Sequence, residues 1–216
     1  MLHPASHADH PAKHLCRALF SSQTKACLLL GALCFAAYAL ILTSYFVGDD
    51  FGYVQLYHRT SLSAWPTLFV ADWSQGIWGS QLRELRPLIA LAYLWDAFVW
   101  GANPLGYHLT NVLFHALNTV LVFLLARLLT QANCALALLA ALLFALHPVH
   151  VEAVVWVVAR TDLISTFFYL GSLLLFVLYR RSRWRGHYLA ALSLFLLGLF
   201  SKEMVISLPL LLLAYD

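Results

Sequence analysis

Four short runs in this sequence hold side chains able to do chemistry: Gly48-Asp49-Asp50, Arg86-Pro87, the stretch from His147 through Glu152 to Asp162, and Ser201-Lys202-Glu203. A carboxylate held within hydrogen-bond reach can take the proton of an incoming hydroxyl. Two adjacent acids, Asp49 and Asp50, let one act while the other orients. The plainer reading of such a pair is a solvated turn or a helix cap. Lys202, Arg160 and Arg86 are cations able to neutralise a phosphate. His147, His150 and Glu152 form an H-x-x-H-x-E pattern to which Asp162 can add a ligand. Pro148 breaks the helical spacing that would set both histidines on one face, so they are read as bonding loop backbone, and no metal is expected.

The scaffold around these runs is lipid-grade. Of 216 residues, 62% are hydrophobic and 11% charged, against about 45–50% and about 25% in soluble domains. This composition describes an integral membrane protein. A nucleic-acid footprint needs a clustered basic face with aromatic platforms, and only the run at residues 180–185 comes near. It lies between apolar segments and reads as a cytoplasmic anchor, so no nucleic-acid partner is expected. Cys16, Cys27, Cys34 and Cys134 make no CxxC or disulfide framework and are expected as free thiols.

Residues 1–25 read as a flexible cytoplasmic tail, and its His3, His7, His10 and His14 as solvated rather than metal-binding. Residues 26–47 read as a first span, an uncleaved signal anchor preceded by Lys13, Arg17 and Lys25. Residues 48–86 are the longest polar excursion. Trp65, Trp73 and Trp78 place this loop on the bilayer surface as short amphipathic helices. Residues 88–100 are apolar but too short to span, and read as interfacial.

Residues 105–129 are the second span. His108, Asn111, His115 and Asn118 fall on one stripe of that helix, expected to face protein or a wet cleft. Interhelical hydrogen bonding is preferred for the stripe over direct ligand contact. Residues 135–146 return to the outside, and 163–179 cross back. Residues 188–200 and 204–215 are either two short spans or one helix carrying Lys202 and Glu203 within it. On this topology eight basic residues lie inside: Lys13, Arg17, Lys25, Arg127, Arg180, Arg181, Arg183 and Arg185. Eight acids lie outside: Asp49, Asp50, Asp72, Glu84, Asp96, Glu152, Asp162 and Glu203. The basic bias follows the positive-inside rule, and the gathered acids read as a site.

The run Leu146-His147-Pro148-Val149-His150-Val151-Glu152-Ala153-Val154-Val155-Trp156, with Arg160-Thr161-Asp162-Leu163, resembles the transmembrane-and-tetratricopeptide-repeat O-mannosyltransferases and their bacterial relatives. So do Arg86-Pro87-Leu88, Asn103-Pro104-Leu105-Gly106-Tyr107-His108-Leu109-Thr110-Asn111 and Ser201-Lys202-Glu203. These proteins belong to the wider GT-C glycosyltransferases. The resemblance covers residues 26–216, the N-terminal part of such a transmembrane domain.

The resemblance implies an all-α, polytopic transmembrane helical bundle of GT-C type. It implies a polyprenyl- or dolichyl-phosphate sugar as donor, mannose or another hexose as the sugar, and a protein or glycan hydroxyl as acceptor. Transfer would occur on the periplasmic or lumenal face, with no cofactor. Asp49 matches the catalytic carboxylate by its spacing to Tyr53, with Asp50 beside it. Asp162 matches a second acidic position and Lys202 a lysine near the donor phosphate. Arg160, Arg86, Glu152, His147 and His150 are expected around the substrate. Members of the family continue for several more spans and a repeat region, so the chain is expected to be a fragment or a truncated product. The Ala- and Leu-rich composition leans toward a bacterial inner membrane, with an endoplasmic reticulum membrane as the eukaryotic counterpart. A transporter or flippase for the same lipid-phosphate sugars, or an inactive membrane fragment, is the rival reading, and only the enzyme needs Asp49 or Asp50 as a base.

Overall fold

The computed structural model describes residues 11–79 and 84–216, with side chains from Gln23 onward. The expectations about His3, His7, His10 and the side chains of His14 and Cys16 lie outside the described residues. The described residues form helices and turns, without a strand. In order they are α1 (Pro11–Ala37), α2 (Asp50–Arg59), α3 (Pro87–Trp100), α4 (Pro104–Leu129), α5 (Cys134–Leu146), α6 (Val151–Val155), α7 (Arg160–Ser182), α8 (Arg185–Leu199) and α9 (Leu208–Tyr215). Short 3-10 turns at Ala39–Thr43, Leu62–Phe69, Pro148–His150, Val157–Ala159 and Glu203–Ser207 join several of them.

Local sequence explains where the central helices start and stop. Pro87 and Pro104 open α3 and α4, where a missing N–H costs nothing and the fixed φ suits a helix. The Asn103 side chain accepts from the Leu105 N–H, and the Asn133 side chain from the Leu136 N–H, so each caps the helix that follows. Gly101 ends α3 with φ +60°, a conformation that suits glycine. At Gly106 a Cβ would stand 2.0 Å from the Trp100 ring, so only glycine lets that ring lie on the first turn of α4.

Helix α4 is the hub and packs against α1, α5 and α7, while α7 packs along α8. Its 26 residues reach about 39 Å, enough for a ~30 Å hydrocarbon core. Among the described residues two helical stretches are long and apolar enough to cross a membrane, Pro104–Leu129 and Val157–Ser182. The pair Cys134–Leu146 and Pro148–Val155 makes a third if the 46° bend between its halves lies within one span. The polar stripe of α4 is buried as expected. Asn111 Nδ2 donates to the carbonyls of Val154 and Trp156, each at 3.2 Å. Asn118 Nδ2 donates to the Leu163 carbonyl at 2.9 Å, and His115 Nε2 lies 3.0 Å from the Ala145 carbonyl. These are interhelical staples, since lipid offers such groups no partner. His108 is equally buried, but its ring nitrogens have no well-aligned partner among the described residues.

Two element boundaries differ from the sequence reading. Helix α1 starts at Pro11, so the expected edge at residue 26 falls inside a helix. It also stops at Ala37, ten residues short of the expected end. Thr43 and Ser44 both turn their hydroxyls onto the Leu40 carbonyl, which favours a turn over continued helix. Phe46 is then drawn into the core against Tyr107, with ring centres 5.4 Å apart. At the other end, Lys202 and Glu203 lie in a break between α8 and α9, which agrees with two separate segments and not with one continuous helix.

The expected surface loop carries α2 and the Leu62–Phe69 turn, folded onto α3. Tyr53 stacks on Trp73 at 4.1 Å, and Tyr57 on Tyr93 at 5.4 Å. Trp65, Trp78, Trp95 and Trp100 remain exposed around this aromatic core.

Candidate functional site

The two acids at the start of α2 have opposite environments. Asp50 is buried, and each carboxylate oxygen accepts a backbone amide, Oδ2 from Val47 at 3.1 Å and Oδ1 from Val158 at 2.9 Å. Burial pushes its carboxyl above the ordinary range, and those two amides pull it back. Asp50 therefore ties the first loop to the segment after the His-Pro run. Asp49 occupies the N-cap position, makes no capping bond, and presents its side chain to the outside. The cap half of the plainer reading fails for Asp49; its exposure fits a solvated turn and also leaves the carboxylate accessible.

Val158, the anchor of Asp50, also lines an open groove of ≈ 460 Å³. Glu152, Trp156, Asp162 and Lys202 share that groove. Lys202 Nζ sits 2.5 Å from Asp162 Oδ1, with both side chains partly exposed. The structure thus brings the His-Pro stretch, the start of α7 and the Ser-Lys-Glu turn to one place. His147 caps the 3-10 turn after it by accepting the Val149 N–H on Nδ1 at 3.2 Å. His150 is packed on the Phe144 ring at 4.3 Å and beside His115 at 5.6 Å. Both histidines have structural contacts here. Among the described residues no three His, Cys, Asp or Glu side chains converge as a metal set.

Arg86 faces a different set. Its guanidinium bridges Glu203 at 3.0 and 3.1 Å and Glu84 at 3.2 Å, and lies over the Trp73 ring. Trp73 Nε1 donates to Glu84 at 2.9 Å, closing the network. The Leu88 N–H reaches the Phe200 carbonyl at 3.3 Å beside it. Glu203 is held below the usual carboxylate range, first by its own backbone N–H and then by the Arg86 charge, against the opposing effect of desolvation. Arg86 therefore pins the end of the first loop to the turn that carries Lys202.

Arg160 departs from its expected place near a phosphate. It is fully buried, and NH1 pairs with Asp96 at 2.8 Å. Nε donates to the Val157 carbonyl and NH2 to the Tyr107 carbonyl, while the group lies 4.3 Å from the Tyr93 ring centre. A buried, unpaired guanidinium would cost several kcal/mol, and this cage is what makes its burial tolerable. Its position joins α3, α4 and α7 beneath the site rather than lining the groove. From the sequence, Asp96, Glu84 and Trp73 fall on the outer side, but none is given a role of its own in the site. Asp96 had a signal: it is the only acid inside an apolar run of fourteen residues, Pro87–Trp100, and charges in such runs are rarely idle.

An all-helical bundle with membrane-length helices and an acid, a lysine and an open groove at one end is the setting in which the comparisons fall. The chain is 36% identical to "Protein O-mannosyl-transferase Tmtc1" of Drosophila melanogaster over 186 residues, covering 82% of this chain and 21% of that protein. It is 34% identical to "Protein O-mannosyl-transferase TMTC1" of Mus musculus over 167 residues, covering 74% and 17%. "Protein O-mannosyl-transferase TMTC3" of Mus musculus matches at 37% over 114 residues, covering 50% and 12%. The chain spans about a fifth or less of the length of these relatives. No family model and no solved structure matches. The chain resembles the transmembrane-and-tetratricopeptide-repeat O-mannosyltransferases, the proteins its motifs pointed to.

Proposed function

We propose that this chain carries the catalytic end of a GT-C membrane glycosyltransferase. It moves mannose or another hexose from a polyprenyl- or dolichyl-phosphate sugar to a hydroxyl of a protein or glycan. The single observation that supports this most is the division of labour between Asp49 and Asp50. One acid is exposed and, among the described residues, unbonded; its neighbour is fastened to the wall of the groove that holds Lys202.

The chemistry follows from those positions. Asp49 accepts the proton of the acceptor hydroxyl as its oxygen attacks the anomeric carbon. The bond from that carbon to the phosphate oxygen breaks, and the lipid phosphate leaves with the electron pair. Lys202 steadies the charge left on the phosphate. The donor must displace Asp162 from Lys202 or share the lysine with it. Glu152, at the exposed rim of the groove, is placed to meet a sugar or acceptor hydroxyl. Arg86 holds the loop and the lysine turn together, and Arg160 holds the helices beneath. The working face is the side of the membrane opposite the basic residues, the lumen of the endoplasmic reticulum or the periplasm.

Transfer of radiolabelled mannose from a polyprenyl-phosphate donor to peptide acceptors tests this. Asp49→Asn preserves shape and removes the base, and turnover is expected to fall by ~10²–10⁴-fold with donor binding little changed. Wild-type turnover in Asp49→Asn excludes Asp49 as the base. Passage of the lipid-phosphate sugar across vesicles without any transfer turns the reading into a transporter.

A further inference from the structure

The far end of the same helices holds a second groove with a different chemistry. Helices α4 and α7 run parallel: Arg160, opening α7, reaches Tyr107 near the start of α4, and Arg181 in the last turn of α7 reaches the Leu128 carbonyl at its end. Between these ends and α1 lies an open groove of ≈ 630 Å³. Gln23, Arg127 and Arg181 form its polar edge, and Leu124, Leu174 and Leu178 line its wall.

The arginines have no carboxylate partner among the described residues. The neighbouring Arg180 does, and pairs with Asp216 at 2.6 Å. Arg127 donates to the Gln23 side chain at 3.2 Å and lies over the Phe123 ring. Arg181 caps α4 through the Leu128 carbonyl. A cation in the last turn offsets the helix dipole, and that alone explains one arginine on each helix. It does not explain their sharing one concave groove, where like charges repel. A guanidinium carries five N–H donors, so each has several left for a ligand. An anion between the two relieves the repulsion and accepts those donors.

Position and wall select the anion. Both arginines stand at the last turn of helices long enough to cross a bilayer, hence at headgroup depth. The leucines beside them match a hydrocarbon chain. A basic pocket between spanning helices at this depth fits an anionic lipid head. We propose that this groove binds one anionic glycerophospholipid, its phosphodiester between Arg127 and Arg181 and an acyl chain along Leu124, Leu174 and Leu178. This assignment is independent of the transferase reading.

The test uses the full 216-residue chain in a neutral detergent, titrated with phosphatidylglycerol or phosphatidylcholine of matched chains and followed by native mass spectrometry. Phosphatidylglycerol is expected to bind about tenfold more tightly, and glycerol phosphate at equal concentration should not displace it. Arg127→Ala and Arg181→Ala should each weaken that binding about fivefold or more, the double lysine variant R127K/R181K should keep most of it, and Arg185→Ala, outside the groove, should leave it unchanged. Because Arg181→Ala also removes a helix cap, Leu178→Trp serves as a second variant: it fills the groove, keeps every charge, and should also lower binding. Photoactivatable phosphatidylglycerol on the unaltered chain should crosslink at Leu124, Leu174 or Leu178. Equal binding of the two lipids, an equal loss in Arg185→Ala, or crosslinks confined to other helices overturns the assignment. Displacement by glycerol phosphate as effective as by lipid leaves an anion site and refutes the acyl half.

Discussion

Replacing Asp96 by asparagine keeps the outline of the side chain and removes the charge that faces Arg160. The side chains are 3% and 0% exposed, and the contact is 2.8 Å. At an effective dielectric of about 20, two unit charges at that distance attract by ~6 kcal/mol. Desolvation of both groups consumes much of this in the intact pair, but in Asp96→Asn the arginine stays buried without its counter-charge. The Tyr93 face and the carbonyls of Val157 and Tyr107 remain to it, and the ring is worth about 1–2 kcal/mol. The expected net loss is therefore about 3–5 kcal/mol, the usual cost of breaking a buried pair from one side. At about 2–4 °C per kcal/mol for a chain of this size, the midpoint should fall by roughly 6–20 °C.

Thermal unfolding in micelles, read by tryptophan fluorescence and by the fraction still monodisperse, measures this. The double variant R160M/D96N removes both charges, and an apolar replacement of a buried pair is often close to neutral. It should recover to within about 2 kcal/mol of the parent. A loss below about 1 kcal/mol in Asp96→Asn, or strictly additive losses in the double variant, refutes the reasoning. Because Arg160 lies beneath the groove, Arg160→Met should lower the amount of folded protein while the folded fraction keeps its donor affinity.

Three further outcomes follow from the same geometry. Lys202→Ala should weaken donor binding about tenfold before it affects turnover of bound donor, measured by lipid-phosphate binding beside the transfer assay. Asn118→Leu, which removes the staple to the Leu163 carbonyl, should cost about 0.5–2 kcal/mol in the same micelle melts. In a cysteine-free background, Ser61→Cys should label with an impermeant thiol reagent from the outer side and Ser182→Cys only after permeabilisation; the opposite pattern inverts the topology.

Helix type and the inward stripe of α4 were legible because they are local. A three-and-four spacing of polar residues in an apolar helix states its own face, and the hydrogen bonds of Asn111, His115 and Asn118 follow. The end of α1 was not legible, because it depends on Phe46 finding Tyr107, about sixty residues away. Arg160 was misplaced for a similar reason. A guanidinium beside an acid-rich motif looks like a ligand for phosphate, and nothing in residues 157–163 announces that its partner is 64 positions upstream. Arg86 and Glu203, 117 positions apart, pose the same problem. Residue types can be read from a sequence; which charges cancel one another depends on packing.

The acid pair marks the limit most sharply. Neighbours on a helix point about 100° apart, so the two acids point different ways, and here Asp50 is buried while Asp49 is exposed. Spacing to Tyr53 favoured Asp49 as the acting acid, but either order satisfies a two-acid motif. What separates them is a pair of backbone amides, Val47 from the same loop and Val158 from beyond the His-Pro stretch, both aimed at Asp50. Asp50 is buried and both its oxygens accept amides, so it is poorly placed to meet an incoming hydroxyl even though burial raises its affinity for a proton. Among the described residues Asp49 has no such partner. The amide of Val158 holds Asp50 in place, and through Asp50 it fixes the backbone from which Asp49 projects; on the proposed reading this leaves Asp49 as the base.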